Sequence, residues 1–242
     1  FIEQTAAAYS ELLKKFSGLG AEWIQFDEPS LVKDMTADDI QLFTSLYEKI
    51  LADKGNVKVI AQTYFGDVRD CCKELCSLDF DGIGLDFVEG KKSLELIKSN
   101  GFPKDKVLFA GVVNGKNIWR NNYAVALLII DELKKHTSDI VLSTSCSLLH
   151  VPCTLANETK LAESYKKHFA YAEEKLSELA ELKKITESNS PLETEEYRRN
   201  AALHSEPRSG RNDAVREKVA ALTENDFIRL PAFEERERIQ KE

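Results

Sequence analysis

A short apolar segment that ends in polar or ionisable residues, followed by a stretch with helical spacing, recurs five times along this chain. The clearest instance is Ile140-Val141-Leu142, which runs into Ser143-Thr144-Ser145-Cys146-Ser147-Leu148-Leu149-His150-Val151-Pro152. A buried parallel strand has this composition when its carboxyl end opens into a site. Strand–helix alternation with short loops calls for a parallel sheet joined by right-handed crossovers. Polar chemistry repeated at strand ends is the mark of a (β/α) barrel, whose function sits on that face.

The pattern predicts strands over Glu22–Phe26, Val57–Thr63, Gly82–Leu85, Lys106–Val113 and Asp139–Ser143. They end in Asp27-Glu28-Pro29, Tyr64-Phe65-Gly66, Asp86, Asn114-Gly115-Lys116-Asn117 and the serine-rich run. The strands are apolar on both sides, as expected where both faces are buried. A first helix covers 3–17, with Ala8, Leu12, Leu13 and Phe16 on one face, and Gly18 and Gly20 end it. Thr36 has the chemistry of an N-cap for the next helix, and Asp67 that of a cap for the helix carrying Cys71, Cys72 and Cys76. A short helix spans about 91–99, another Tyr123–His136, and a long one about 156–184. From 186 the chain turns polar, which suits a connector or loosely packed extension, with short helices at Arg216–Leu222 and Glu234–Glu242. The domain reading is therefore 1–185 for the strand–helix body and 186–242 for the linker or extension.

Five strands are too few for a closed barrel. Either the sheet is open and complete at five, or three strand–helix units lie upstream of Phe1. The start on Phe1, the single methionine Met35 and the uncapped end favour a piece of a longer polypeptide. On the barrel reading the piece would present two raw sheet edges.

The net charge of −8 argues against nucleic acid as a partner, since phosphate binding favours basic patches. No apolar run approaches the roughly 20 residues of a membrane span. Five cysteines without a regular framework suit a reducing, cytoplasmic setting. Cys72 and Cys76 have a spacing that a metal could use on a helix, although thiols on a helix face are more often packing.

Taken in order, five segments resemble the amino-terminal half of the cobalamin-independent methionine synthases. They are Asp27-Glu28-Pro29-Ser30-Leu31, Thr63-Tyr64-Phe65-Gly66, Gly82-Ile83-Gly84-Leu85-Asp86, Gly111-Val112-Val113-Asn114-Gly115-Lys116-Asn117-Ile118-Trp119-Arg120 and Ser145-Cys146-Ser147-Leu148-Leu149-His150-Val151-Pro152. The resemblance runs to about Lys184 and continues through the tail. It implies two face-to-face (β/α)8 TIM barrels, of which this chain supplies strands four to eight of the first, plus a helical connector toward the second. The activity it implies is methyl transfer from 5-methyltetrahydrofolate polyglutamate to homocysteine, making methionine. The carboxy-terminal catalytic barrel would hold the zinc and the homocysteine, and no cobalamin takes part. The amino-terminal barrel would shape the interface and the surface for the folate tail.

That division suits the chemistry. Zinc with thiolate and imidazole ligands lowers a thiol pKa and presents the sulfur, and the tertiary amine leaving group needs a positioned acid. Cys146 and His150 are too few ligands for such a site, so no catalytic residue and no metal ligand is expected in this chain. Cys146 reads as a relic thiol at the barrel rim. The substrate or interface candidates are Asp27, Glu28, Asp86, Asn114, Lys116, Asn117, Arg120, Ser145 and His150. Asp27 and Glu28 should point to one face, with a buried, loop-fixing acid the plainer reading. Asp86 should pair with a nearby base. Asn114 and Lys116 replace the Asp and Arg of the family pattern, and a lysine lacks the bidentate fork for a carboxylate. Trp119 suits core or interface, and Arg120 an inter-barrel ion pair. Two other classes compete: a degenerate barrel that only scaffolds the catalytic half, and a self-contained decarboxylase-type barrel. The second would need arginine-rich anion contacts near the first strands, which the chain lacks.

Overall fold

The computed structural model describes residues 2–205 and 212–242; Phe1 and the 206–211 part of the expected connector lie outside the described residues. The chain divides into two compact units, Phe1–Ser205 and Glu206–Glu242.

In the first unit α1 (Ile2–Gly18), β1 (Trp23–Asp27), α2 (Ala37–Leu51), β2 (Lys58–Gln62), α3 (Cys72–Ser77), β3 (Gly82–Asp86), α4 (Ser93–Asn100), β4 (Val107–Val113), α5 (Tyr123–Leu133) and β5 (Ile140–Thr144) follow in turn. α6 (Glu163–Lys166), α7 (Ala172–Glu187) and α8 (Glu195–Ser205) complete it. The sheet is wholly parallel in the order β1-β2-β3-β4-β5. Each crossover steps the same way, and right-handed crossovers that never reverse put their helices on one face.

The register makes the two faces unlike. The row Phe26, Ala61, Ile83, Leu108 and Ile140 lies on the face that carries the core. Phe43 and Tyr47 of α2, Leu75 of α3, Ile97 of α4, Ile130 of α5 and Leu182 of α7 belong to the same cluster. The adjacent row, Asp27, Gln62, Gly84, Phe109 and Val141, points the other way. There Val141 is 42% exposed and Trp23 37%, and Lys58 lies over the Trp23 ring. Burial of both faces, expected from the apolar composition, is thus found on the core side, where only the edge residues Phe26 and Ile140 of that row are half-buried, and fails at the sheet edges on the other.

Thr36 caps α2 as expected, in a reciprocal box with Asp39. Asp67 does not cap α3: its carboxylate pairs with Arg69 and accepts from the Lys92 N–H. The long helix expected over 156–184 is broken. The Ala170 N–H donates to the Ile118 carbonyl and the Arg120 N–H to the His168 carbonyl, pulling 168–170 into an extended pairing. Glu174 then restarts the helix, its carboxylate accepting from the N–H groups of Tyr171 and Leu155. Apolar periodicity persists through the break, which is why spacing alone misses it.

Residues 186–205 of the expected connector pack on the body. α8 contacts α5 and α7, and buried Asn200 accepts from the Tyr123 N–H and donates to the Asn121 carbonyl. The second unit holds α9 (Asp213–Ala220) and α10 (Phe233–Lys241), with Val215, Val219, Phe227 and Phe233 exposed.

Candidate functional site

The carboxyl ends of β2, β3, β4 and β5 converge on Phe65. This residue follows β2 with φ +71, a left-handed conformation that costs a non-glycine residue about 1–2 kcal/mol. It is held there from β3: its N–H donates to Asp86 Oδ2 at 3.0 Å. Asp86 Oδ1 accepts from Val88 N–H at 2.7 Å and Glu89 N–H at 2.9 Å. Asp86 is 1% exposed, and burial pushes its carboxyl above the usual range against the pull of these three donors. Its partners are backbone groups, not the basic side chain expected from the sequence.

The β4 loop adds a cation. Asn114 closes an Asx turn, its Oδ1 accepting from the N–H groups of Lys116 and Asn117. Asn117 Oδ1 in turn accepts from the Trp119 N–H. The turn sends Lys116 Nζ to 2.7 Å from the Glu89 carboxylate and 5.0 Å from the Phe65 ring centroid. Glu89 holds the exposed ammonium in its charged form, above the ordinary lysine range. Gly115 permits the approach of this loop to β5, since a Cβ there would meet the Cys146 carbonyl oxygen at 2.4 Å. Its N–H donates to Ser145 Oγ at 3.2 Å, so Ser145 fixes the loop from the β5 side. His150 is exposed and sets its ring edge-on to Phe65 at 5.3 Å.

The acids after β1 diverge, although the sequence suggests one shared face. Asp27 lies on the open face and accepts from Gln25 Nε2 at 2.7 Å. Glu28 turns into the helix layer, where it accepts from the Tyr47 hydroxyl. Burial and that carboxylate push the Tyr47 phenol far up. Arg120 also turns inward: its Nε donates to the Lys167 carbonyl, and its Nη1 stands 4.0 Å from Glu178, which is buried.

The candidates therefore separate. Asp86, Asn114, Lys116, Asn117, Ser145 and His150 gather around Phe65, while Asp27, Glu28 and Arg120 do not join them. The sequence reading missed Phe65 and Glu89. The aromatic pair before Gly66 is a visible signal for the first, but nothing in residue type reveals a positive φ. Among the described residues no group of three or more His, Cys, Asp or Glu side chains is placed to hold a metal ion. The local chemistry agrees: Asp86 is committed to three backbone donors, burial holds the Cys146 thiol protonated, and His150 packs on a ring. No helix among the described residues is long and apolar enough to cross a membrane.

Residues 1–138 match the model of the family described as cobalamin-independent synthase, N-terminal domain. The chain is 52% identical over its whole length to the 5-methyltetrahydropteroyltriglutamate–homocysteine methyltransferase of Streptococcus thermophilus and covers 31% of that protein. The protein of the same name from Lactococcus lactis is 48% identical, again across the whole of this chain and 31% of its own length. The chain thus spans about a third of the curated relatives it matches. A solved B12-independent methionine synthase of Shewanella aligns with 61% of this chain and 48% of its own, at 17% identity and a TM-score of 0.46.

Proposed function

The chain belongs to the cobalamin-independent synthase family, as part of its N-terminal domain, and from that premise we propose that it serves methyl transfer from a 5-methyltetrahydrofolate polyglutamate to homocysteine without itself carrying the chemistry. Its five strands are strands four to eight of a (β/α)8 barrel. What supports this is the unreversed strand order and the half-exposed Trp23 and Val141 on the face away from the core. Residues 186–242 act as the connector to a carboxy-terminal catalytic barrel, the chain's partner within one polypeptide. The catalytic zinc belongs to that partner, because the acid, thiol and imidazole at these strand ends do not fit a metal. The relatives' names supply both substrates, and the family description excludes cobalamin.

The observation that carries the reading is Lys116. It is an exposed ammonium beside an aromatic face at the ends of four strands. A cation there attracts the carboxylates of a glutamate tail without the fixed geometry of an arginine. Charge reversal, Lys116→Glu in the full-length protein, should raise KM for the triglutamate donor about tenfold, or ~1.4 kcal/mol, and leave kcat nearly unchanged. A monoglutamate donor should respond less.

A second reading has its own observation. Lys116 is already neutralised by Glu89, which suits a barrel that only scaffolds the catalytic half. On that reading neither KM moves. Arg120 is unsuitable for the comparison, since reversing its charge would break the buried contacts around Glu178.

A further inference from the structure

The loop that carries Lys116, residues 114–122 between β4 and α5, is shaped in two halves. The Asx turn at Asn114 shapes the first. The second is bonded at four successive residues, Ile118 to Asn121, to the segment that runs into α7. The Ala170 N–H donates to the Ile118 carbonyl at 2.7 Å, and the Arg120 N–H to the His168 carbonyl at 2.9 Å. Lys175 Nζ donates to the Trp119 carbonyl at 3.1 Å, and Glu178 Oε1 accepts from the Asn121 N–H at 3.0 Å.

Two of these bonds come from charged side chains sealed from solvent, Lys175 and Glu178, one turn apart on α7. Charges buried together are a weak source of stability, because removing them from water offsets their attraction. Their geometry gives them another use. Each is directed at the backbone of the loop, Lys175 at Trp119 and Glu178 at Asn121, and Glu178 Oε2 meets no partner among the described residues. Charge-assisted bonds to a carbonyl and an N–H fix both the position and the tilt of the 119–121 run.

That placement is passed along the loop by side-chain amides. Asn117 Oδ1 accepts from the Trp119 N–H, and Asn114 Oδ1 accepts from the N–H groups of Asn117 and Lys116. A shift at Trp119 therefore moves Asn117, and with it the turn that aims Lys116 at the Phe65 face.

We propose that Lys175 and Glu178 are positioning residues for the anion contact at Lys116: from α7 they fix the 118–121 half of the loop and so hold the ammonium in place, without touching the donor themselves. This deepens the reading of Lys116 as the contact for a glutamate tail, and rests on it.

The test is a double-mutant cycle on the full-length protein, read as KM for the triglutamate donor. Glu178→Ala should raise that KM about threefold in the native background and leave it unchanged where Lys116 is already Ala, because the acid acts only through Lys116. The effect should fall on KM and not on kcat. Glu178→Gln keeps an acceptor for the Asn121 N–H and should restore the native KM. Lys175→Met fills similar space without the bond to Trp119 and should repeat the rise, which serves if Glu178→Ala does not fold. Amide exchange over 114–121, followed by mass spectrometry, should quicken in Glu178→Ala and Lys175→Met while exchange in β4 does not; unchanged exchange in the loop overturns the proposal. So does an equal rise in KM on both backgrounds, which marks a merely structural role. A KM that Lys116→Ala alone leaves native defeats the reading of the tail contact and this proposal with it. A KM raised by Lys116→Ala but indifferent to Glu178 and Lys175 defeats the proposal alone.

Discussion

Glu178 offers the sharpest test of how this fold manages buried charge. Its carboxyl is 1% exposed on α7, and its Oε1 accepts from the Asn121 N–H at 3.0 Å. Its Oε2 is buried with no partner among the described residues. Lys175, fully buried one turn earlier, gives its ammonium to the Trp119 carbonyl at 3.1 Å, and burial lowers its proton affinity. Arg120 and Lys175 both favour the charged acid, but burial outweighs them and pushes Glu178 from its ordinary 4.5 up to about 7.

The folded chain therefore keeps this proton up to about pH 7, whereas the unfolded chain releases it near 4.5. The stability it contributes is fully present below 4.5 and is lost as pH rises through 7. The shift converts to about 3 kcal/mol against the ionised form at higher pH. Glutamine has the shape of the protonated acid and cannot ionise. Glu178→Gln should thus match the native protein near pH 4.5 and exceed its stability by up to about 3 kcal/mol above pH 8. Urea pulse proteolysis of the full-length protein measures this, with peptides from 117–183 counted by mass spectrometry. A difference that does not change with pH refutes the reasoning, as does a glutamine variant less stable than native above pH 8.

Two further substitutions probe the frame that carries the strand ends. A Cβ at Gly84 would meet the Gln62 side-chain oxygen at 2.0 Å on the next strand, so Gly84→Ala should destabilise by about 1–3 kcal/mol, and adding Gln62→Ala should restore part of that in the same proteolysis assay. Thr36→Ala removes the capping box of α2 and should cost about 1 kcal/mol, seen as faster amide exchange in the first turn of that helix with little change at β2.

Legibility followed the range of the interaction. The strands were readable to within a residue because parallel pairing buries a continuous apolar run, and β4 (Val107–Val113) is such a run. Thr36 was readable because an N-cap is decided within four residues. Asp67 was not, because two groups compete for its carboxylate: Arg69, two residues on, and the Lys92 N–H, which arrives from 25 residues away. The break before α7 was hidden for the same reason, since it depends on Ile118 and Arg120 in the β4 loop. At the strand ends, Asp86 and Lys116 stand out by type and position. That Asp27 and Glu28 part company depends on the Tyr47 hydroxyl in α2, which no local pattern announces.

The acids at these strand ends share a property that bears on what the face can do. Glu28 is taken by Tyr47, Asp86 by three backbone N–H groups, and Glu89 by Lys116. Asp86, with three donors already in place, has little to gain from a cation, and breaking its bonds would release Phe65 from its left-handed conformation. The same saturation makes the loops mutually dependent: Asp86 sets Phe65, Phe65 seats Lys116 and His150, and Ser145 with Gly115 fixes the turn that delivers Lys116. The face is therefore built as a rigid aromatic patch with a cation at its edge. On the function proposed above, an extended anion would lie across this patch, and a glutamate tail would have to compete with Glu89 for Lys116.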